Sequence, residues 1–100
     1  MPSLTVAVPH DLQQQEATDR LKARFGNLKD RFGRDVRDVK EEWDGHLLRF
    51  GFTTYGIQIR GTVTSGASDV TVAADLPLVA MPLKGAIERQ IREELEKIVA

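Results

Sequence analysis

Residues 36–76 read VRDVKEEWDGHLLRFGFTTYGIQIRGTVTSGASDVTVAADL, and the period of this stretch decides the fold. Leu48, Phe50 and Phe52 fall on one face of a segment, as do Ile57, Ile59 and Val63 in the next and Val70, Val72 and Ala74 in the last. Apolar residues at every second position belong to strands half-buried on a sheet. The pattern predicts four strands, over 36–43, 46–55, 57–64 and 69–76. Asp44-Gly45 reads as a type I′ hairpin turn, which needs positive φ at both central residues. Gly56 marks the second turn, and Ser65, Gly66, Ala67 and Ser68 the third. Gly51 and Gly61 lie mid-strand, where a missing side chain permits a bulge or sharp coiling.

The flanks complete the fold. Leu4, Val6 and Val8 alternate with polar or small residues, a further strand that Pro9-His10 ends. Asp11 is placed to cap a helix, with Gln14 in the capping-box position. Ala17, Leu21, Phe25, Leu28 and Phe32 form its apolar stripe over 11–32, with Gly33 as the stop. Gly26 inside it costs about 1 kcal/mol against Ala, which points to close packing or a bend. Ile87, Ile91, Leu95 and Ile98 make a second amphipathic helix. The order β-α-β-β-β-β-α predicts one α+β domain over 1–100, an antiparallel sheet with two helices packed on one face.

Composition excludes several chemistries. The chain has 100 residues, a formal net charge of −1 and no cysteine, which removes disulfides, thiolate metal sites and a cysteine nucleophile. His10 and His46 lack the i, i+4 spacing of a helical metal pair. No nucleophile elbow and no Gly-rich phosphate loop is present. The expectation is therefore no catalytic residue, no metal and no cofactor. Basic residues gather at 20, 22, 24, 29, 31, 34, 37 and 40, against acids at 30, 35 and 38. Helical geometry splits Arg20, Arg24 and Arg31 from Lys22 and Lys29, so nucleic-acid binding is not expected. The start has neither a basic nor an apolar signal region, and a membrane span needs about 20 apolar residues. A cytoplasmic protein is expected.

Two places stand out. Under a two-residue Asp44-Gly45 loop, Glu41 and Trp43 share a face with Leu48 and Phe50, which puts a carboxylate beside the core and suggests a pocket. Under a three-residue loop, Glu41 moves to the opposite face with Leu47 and Arg49. The other place is residues 76–83, where Leu76, Leu78, Val79, Met81 and Leu83 occupy a connector with no polar side chain, interrupted by Pro77 and Pro82. Either the segment folds under the second helix and completes the core, or it presents an apolar surface or pocket rim, with Lys84 as a cation at its edge.

The ordered set Leu4-Thr5-Val6, Val8-Pro9-His10, Glu16-Ala17, Glu42-Trp43, Gly45, Phe50, Gly56, Gly61, Asp75-Leu76-Pro77, Lys84-Gly85, Ile87-Glu88 and Ile91-Arg92 resembles the polyhydroxyalkanoic acid system proteins of bacteria, over nearly the whole chain. Leu83 stands where an aromatic is expected before the Lys-Gly pair. The resemblance implies an association with polyhydroxyalkanoate synthesis and carries over no catalytic residue. The element order also looks like a reduced helix-grip fold, in which an apolar ligand lies between a curved sheet and a C-terminal helix; that analogy concerns fold alone. The leading expectation is a non-enzymatic accessory protein that binds an apolar ligand, polymer or granule surface. The alternative is a homodimeric interaction module, joined through a sheet edge or the same connector.

Overall fold

The computed structural model describes residues 3–27 and 36–100. Five strands, β1 (Ser3–Pro9), β2 (Arg37–Asp44), β3 (Leu47–Thr54), β4 (Ile57–Ser65) and β5 (Asp69–Asp75), form one antiparallel sheet in the order β1-β5-β4-β3-β2. Helix α1 (Gln14–Gly26) follows β1, and helix α2 (Lys84–Val99) ends the chain. The expected α+β order β-α-β-β-β-β-α is present.

Register aligns the apolar faces. Val63 pairs with Val72 and Val72 with Val6, while Val70 pairs with Val8 and Ala74 with Leu4. These side chains, with Leu21, Leu48, Leu95 and Val99, form the core under the helices. Across the same strands the other face carries Thr5, Thr62, Thr64 and Thr71, with the small Ala7 and Ala73 between them. Gly61 has a packing reason, because a Cβ there would stand 2.4 Å from Ala73 O and 2.8 Å from Phe50 Cζ.

Three local expectations change. Helix α1 begins at Gln14, and no side chain caps it. The exposed Asp11 gives way to His10, whose Nδ1 accepts the Leu12 N–H (3.1 Å), while Gln14 Nε2 turns away to donate to Ser65 O (2.8 Å). At its other end the described helix stops at Gly26, with Asn27 as C-cap. Among the described residues nothing lies within 4 Å of a Cβ built on Gly26, so no described neighbour requires this glycine. Leu28, Lys29, Arg31, Phe32 and Gly33 lie outside the described residues.

The hairpin turns also exchange roles. Asp44 pairs with Leu47, so the first loop is Gly45-His46, and only Gly45 has positive φ (61°). Glycine alone at the first central position is the type II′ requirement. The type I′ requirement is met at Tyr55 (φ 50°) and Gly56 (φ 75°), between Thr54 and Ile57. Tyr55 thus leaves the strand predicted over 46–55.

The sheet's edges are blunted. The β2 edge is broken by a register shift between Arg37 and Lys40, where Asp38 adopts φ 53°. Along β1, Arg92 Nη1 donates to Ala7 O (3.1 Å). A bulge, charged side chains and an occupied carbonyl all discourage strand addition by a second chain.

Candidate functional site

The connector after β5 resolves into anchors and an exposed surface. Leu76 continues the inward alternation of β5 and is 1% exposed. Pro77 remains extended, and its carbonyl accepts the Ala80 N–H (2.9 Å), which starts a 3-10 helix over Leu78–Leu83. With three residues per turn, Leu78 aligns with Met81 and Val79 with Pro82. Ala80 shares the remaining side with Leu83; Ala80 is buried, while Leu83 at the end of the turn is exposed. The small side chain of Ala80 lets the turn sit down on the core.

Two buried points, Leu76 and Ala80, therefore pin a turn whose other apolar residues face out. Leu78 is 77% exposed, Val79 71%, Leu83 58% and Met81 36%. The two readings of residues 76–83 divide by residue: Leu76 joins the core, and Leu78, Val79, Met81 and Leu83 form the surface. Pro82 sits inside the 3-10 helix, whose shortness lets it tolerate the missing N–H. Lys84 opens α2 beside this patch, half-buried, with Nζ 3.9 Å from Glu88 Oε1. That long contact leaves the cation at the patch margin.

Glu41 and Trp43 lie opposite Phe50 and Leu48. They share the helix-covered face, as the two-residue loop requires, with the register displaced by two residues from the expected pairing. The three-residue alternative is excluded. Trp43 Nε1 donates to Glu41 Oε2 (2.7 Å), and Lys22 Nζ lies 5.3 Å from the Trp43 ring centroid. Trp43 is half-buried and Glu41 exposed. Lys22 over Trp43 joins α1 to β2 at the surface, and Glu41 is an exposed partner of Trp43, so the buried acid that one register suggested is not formed.

The basic residues of α1 are likewise engaged in packing. Arg20 pairs with Glu16 (3.0 Å) and donates to Ile98 O and Ala100 O, and Arg24 pairs with Glu94 of α2 (2.8 Å). These contacts fasten the two helices to each other.

One cluster escaped sequence reasoning. Thr18 Oγ1 donates to Gln14 O (2.9 Å) and contacts His46 Nδ1 (2.7 Å) and Ser65 Oγ (2.8 Å). One hydroxyl supplies one hydrogen, so the ring and the Ser65 hydroxyl share in these three contacts as donors or acceptors. His10 is committed at both ring nitrogens. With Nδ1 accepting from Leu12 N, Nε2 carries the hydrogen toward Gly66 O (3.1 Å). Thr18 and Ser65 are each 1% exposed, and satisfied buried polar groups of this kind fix orientation. The cluster seats α1 on the end of β4 at Ser65, while His10 ties the segment before α1 to the 66–68 turn. No sequence motif announces it, because His46 meets Ser65 only through the pairing of β3 with β4. Among the described residues, no group of three or more His, Cys, Asp or Glu could hold a metal ion. No described helix is long and apolar enough to cross a membrane.

Comparison with curated proteins finds no match, and comparison with solved structures finds none either. A family model spans residues 4–99, which includes β1 from Leu4 onward, the other four strands, both helices and the exposed connector. The chain belongs to the family described as "Putative polyhydroxyalkanoic acid system protein".

Proposed function

We propose that this protein is a non-enzymatic accessory factor of polyhydroxyalkanoate metabolism that binds an apolar ligand, polymer or granule surface through Leu78, Val79, Met81 and Leu83. The supporting observation is the concentration of these four large exposed apolar residues in one six-residue turn; the only other such residue among those described is Tyr55. Scattered apolar residues are ordinary on a surface, whereas a contiguous group marks a contact. Each such side chain gains about 1.5–3 kcal/mol on full transfer from water. A polyester surface offers ester carbonyls among apolar chains. Lys84, at the patch margin, donates to those carbonyls. The family description, which names the polyhydroxyalkanoic acid system, supports a polyester as the occupant, and the exposed patch supports direct contact with it. A cytoplasmic, granule-associated location follows from this reading.

Co-sedimentation with purified polyhydroxyalkanoate granules tests it. Leu78→Asp combined with Val79→Asp is expected to abolish binding while circular dichroism and melting temperature stay unchanged, since both side chains are largely exposed. Undiminished binding by that folded variant overturns the assignment. Light scattering of the free protein reads the alternative: a dimer that Leu78→Asp/Val79→Asp dissociates would assign the patch to a second copy of the chain.

A further inference from the structure

The polar face of the sheet carries an open groove of about 390 Å³ over β2, β3 and β4. Its floor is Gly51. In register Gly51 stands between Lys40 of β2 and Arg60 of β4. Along β3 its same-face neighbours are Arg49 and Thr53. Two strand spacings of roughly 4.8 Å set Lys40 and Arg60 about 9.6 Å apart at the backbone, with no side chain between them. Three cations and a hydroxyl surround this one bare position.

Packing does not require the glycine. A Cβ on Gly51 would meet Ile59 O at 3.6 Å and Arg60 Cγ at 3.8 Å, which is ordinary contact, and the backbone there lies outside the left-handed region. A strand glycine costs roughly 0.5–1 kcal/mol relative to Ala and commonly marks the close approach of a ligand. The cations are also uncommitted. Glu42 faces Arg49 and Asp75 faces Arg60 in register, yet among the described residues no carboxylate lies within 4.0 Å of Lys40, Arg49 or Arg60. Arg60 Nη2 makes one long contact, to Gln58 Oε1 at 3.3 Å.

We propose that Lys40, Arg49, Arg60 and Thr53 form, over Gly51, a binding site for a small oxyanion, a carboxylate or a phosphate. Asp38 and Glu42 on the groove wall offset two of its three positive charges, so the remaining field suits an anion of low charge better than an extended polyanion. A second depression of about 260 Å³ shares Gln58 and Arg60 with the groove, carries Asp75 on its wall and reaches Pro77 at the base of the connector. It holds the uncharged body of the ligand. The site lies on the face opposite the helices and does not depend on granule binding.

Amide chemical-shift titration of the full chain with inorganic phosphate and with butyrate, against chloride at matched ionic strength, tests the site. Saturable shifts centred on residues 49–53 and 58–61 are expected with at least one oxyanion and absent with chloride; the anion that saturates tells phosphate from carboxylate. Gly51→Val is expected to remove saturation, and Lys40→Gln and Arg60→Gln each to weaken it roughly tenfold, as loss of a charge-assisted hydrogen bond does. Saturation by neither oxyanion, an equal response to chloride, or unchanged binding in Gly51→Val overturns the proposal. Should Gly51→Val fail to fold, unchanged binding in the double variant Lys40→Gln/Arg60→Gln overturns it equally.

Discussion

Gly51 and Gly61 are two mid-strand glycines on neighbouring strands, and the sheet uses them in opposite ways. Gly61 belongs to the helix-covered face, where the Phe50 ring and the β5 backbone fill the space a side chain would need. Gly51 belongs to the uncovered face, where the same absence leaves a gap among cations. Absence on one face is a packing requirement; on the other it is free space for a partner. The same division runs through β1, β4 and β5, with Leu4, Val6, Val63, Val70 and Val72 on one side and Thr5, Thr62, Thr64 and Thr71 on the other.

The largest expected effect breaks this contrast if it fails. Gly61→Val forces a Cβ to within 2.4 Å of a backbone carbonyl, which no rotamer relieves. Because domains of this size hold only about 5–15 kcal/mol of stability, the variant is expected not to fold. Gly51→Val is expected to fold with stability unchanged or raised by up to about 1 kcal/mol, given the β-propensity of valine. Urea denaturation of the pair checks both. If the two variants lose stability equally, the two glycines are equivalent and the contrast is wrong.

Most of the fold was legible from period alone. The two-residue alternation of 48, 50 and 52 and the four-residue steps of 87, 91 and 95 are local signals, and both survive in the structure. What local signals could not carry was competition between partners. Asp11 and Gln14 form a respectable capping pair until His10 and Ser65, brought close by the sheet, claim the same groups. Asp44-Gly45 resembles a type I′ turn, but strand pairing extends through Asp44 and leaves His46 in the loop. The connector was readable as unusual, yet its division into buried and exposed residues depends on where α2 meets β1. The groove was invisible because Lys40, Gly51 and Arg60 become neighbours only across three strands.

The connector carries the same contrast within eight residues. Leu76 is a core side chain and Leu78 a surface one, though the sequence presents them alike. Leu76→Ala removes a fully buried isobutyl group and is expected to cost about 3 kcal/mol, from lost transfer energy and the cavity left behind. Leu78→Ala is expected to change stability by less than about 0.5 kcal/mol. Thermal denaturation followed by circular dichroism separates them. A comparable loss from Leu78→Ala would mean that the residue is packed in solution, which would remove the surface on which granule binding rests.

Threonines give the smallest and most discriminating comparison. Thr18→Val keeps the shape of a buried side chain but removes the hydroxyl that Gln14 O, His46 Nδ1 and Ser65 Oγ share. Burial denies those groups replacement water, so the expected cost is about 1–3 kcal/mol. Thr64→Val, at an exposed position on the polar face, is expected to stay within about 0.5 kcal/mol of the parent. The double variant Thr18→Val/Ser65→Ala sharpens the point. If the cluster acts as a unit, the second substitution adds less than its single cost, because its main partner is already gone. Strict additivity in urea midpoints would show instead that Thr18 and Ser65 are satisfied separately, and that the seat of α1 rests on apolar packing alone.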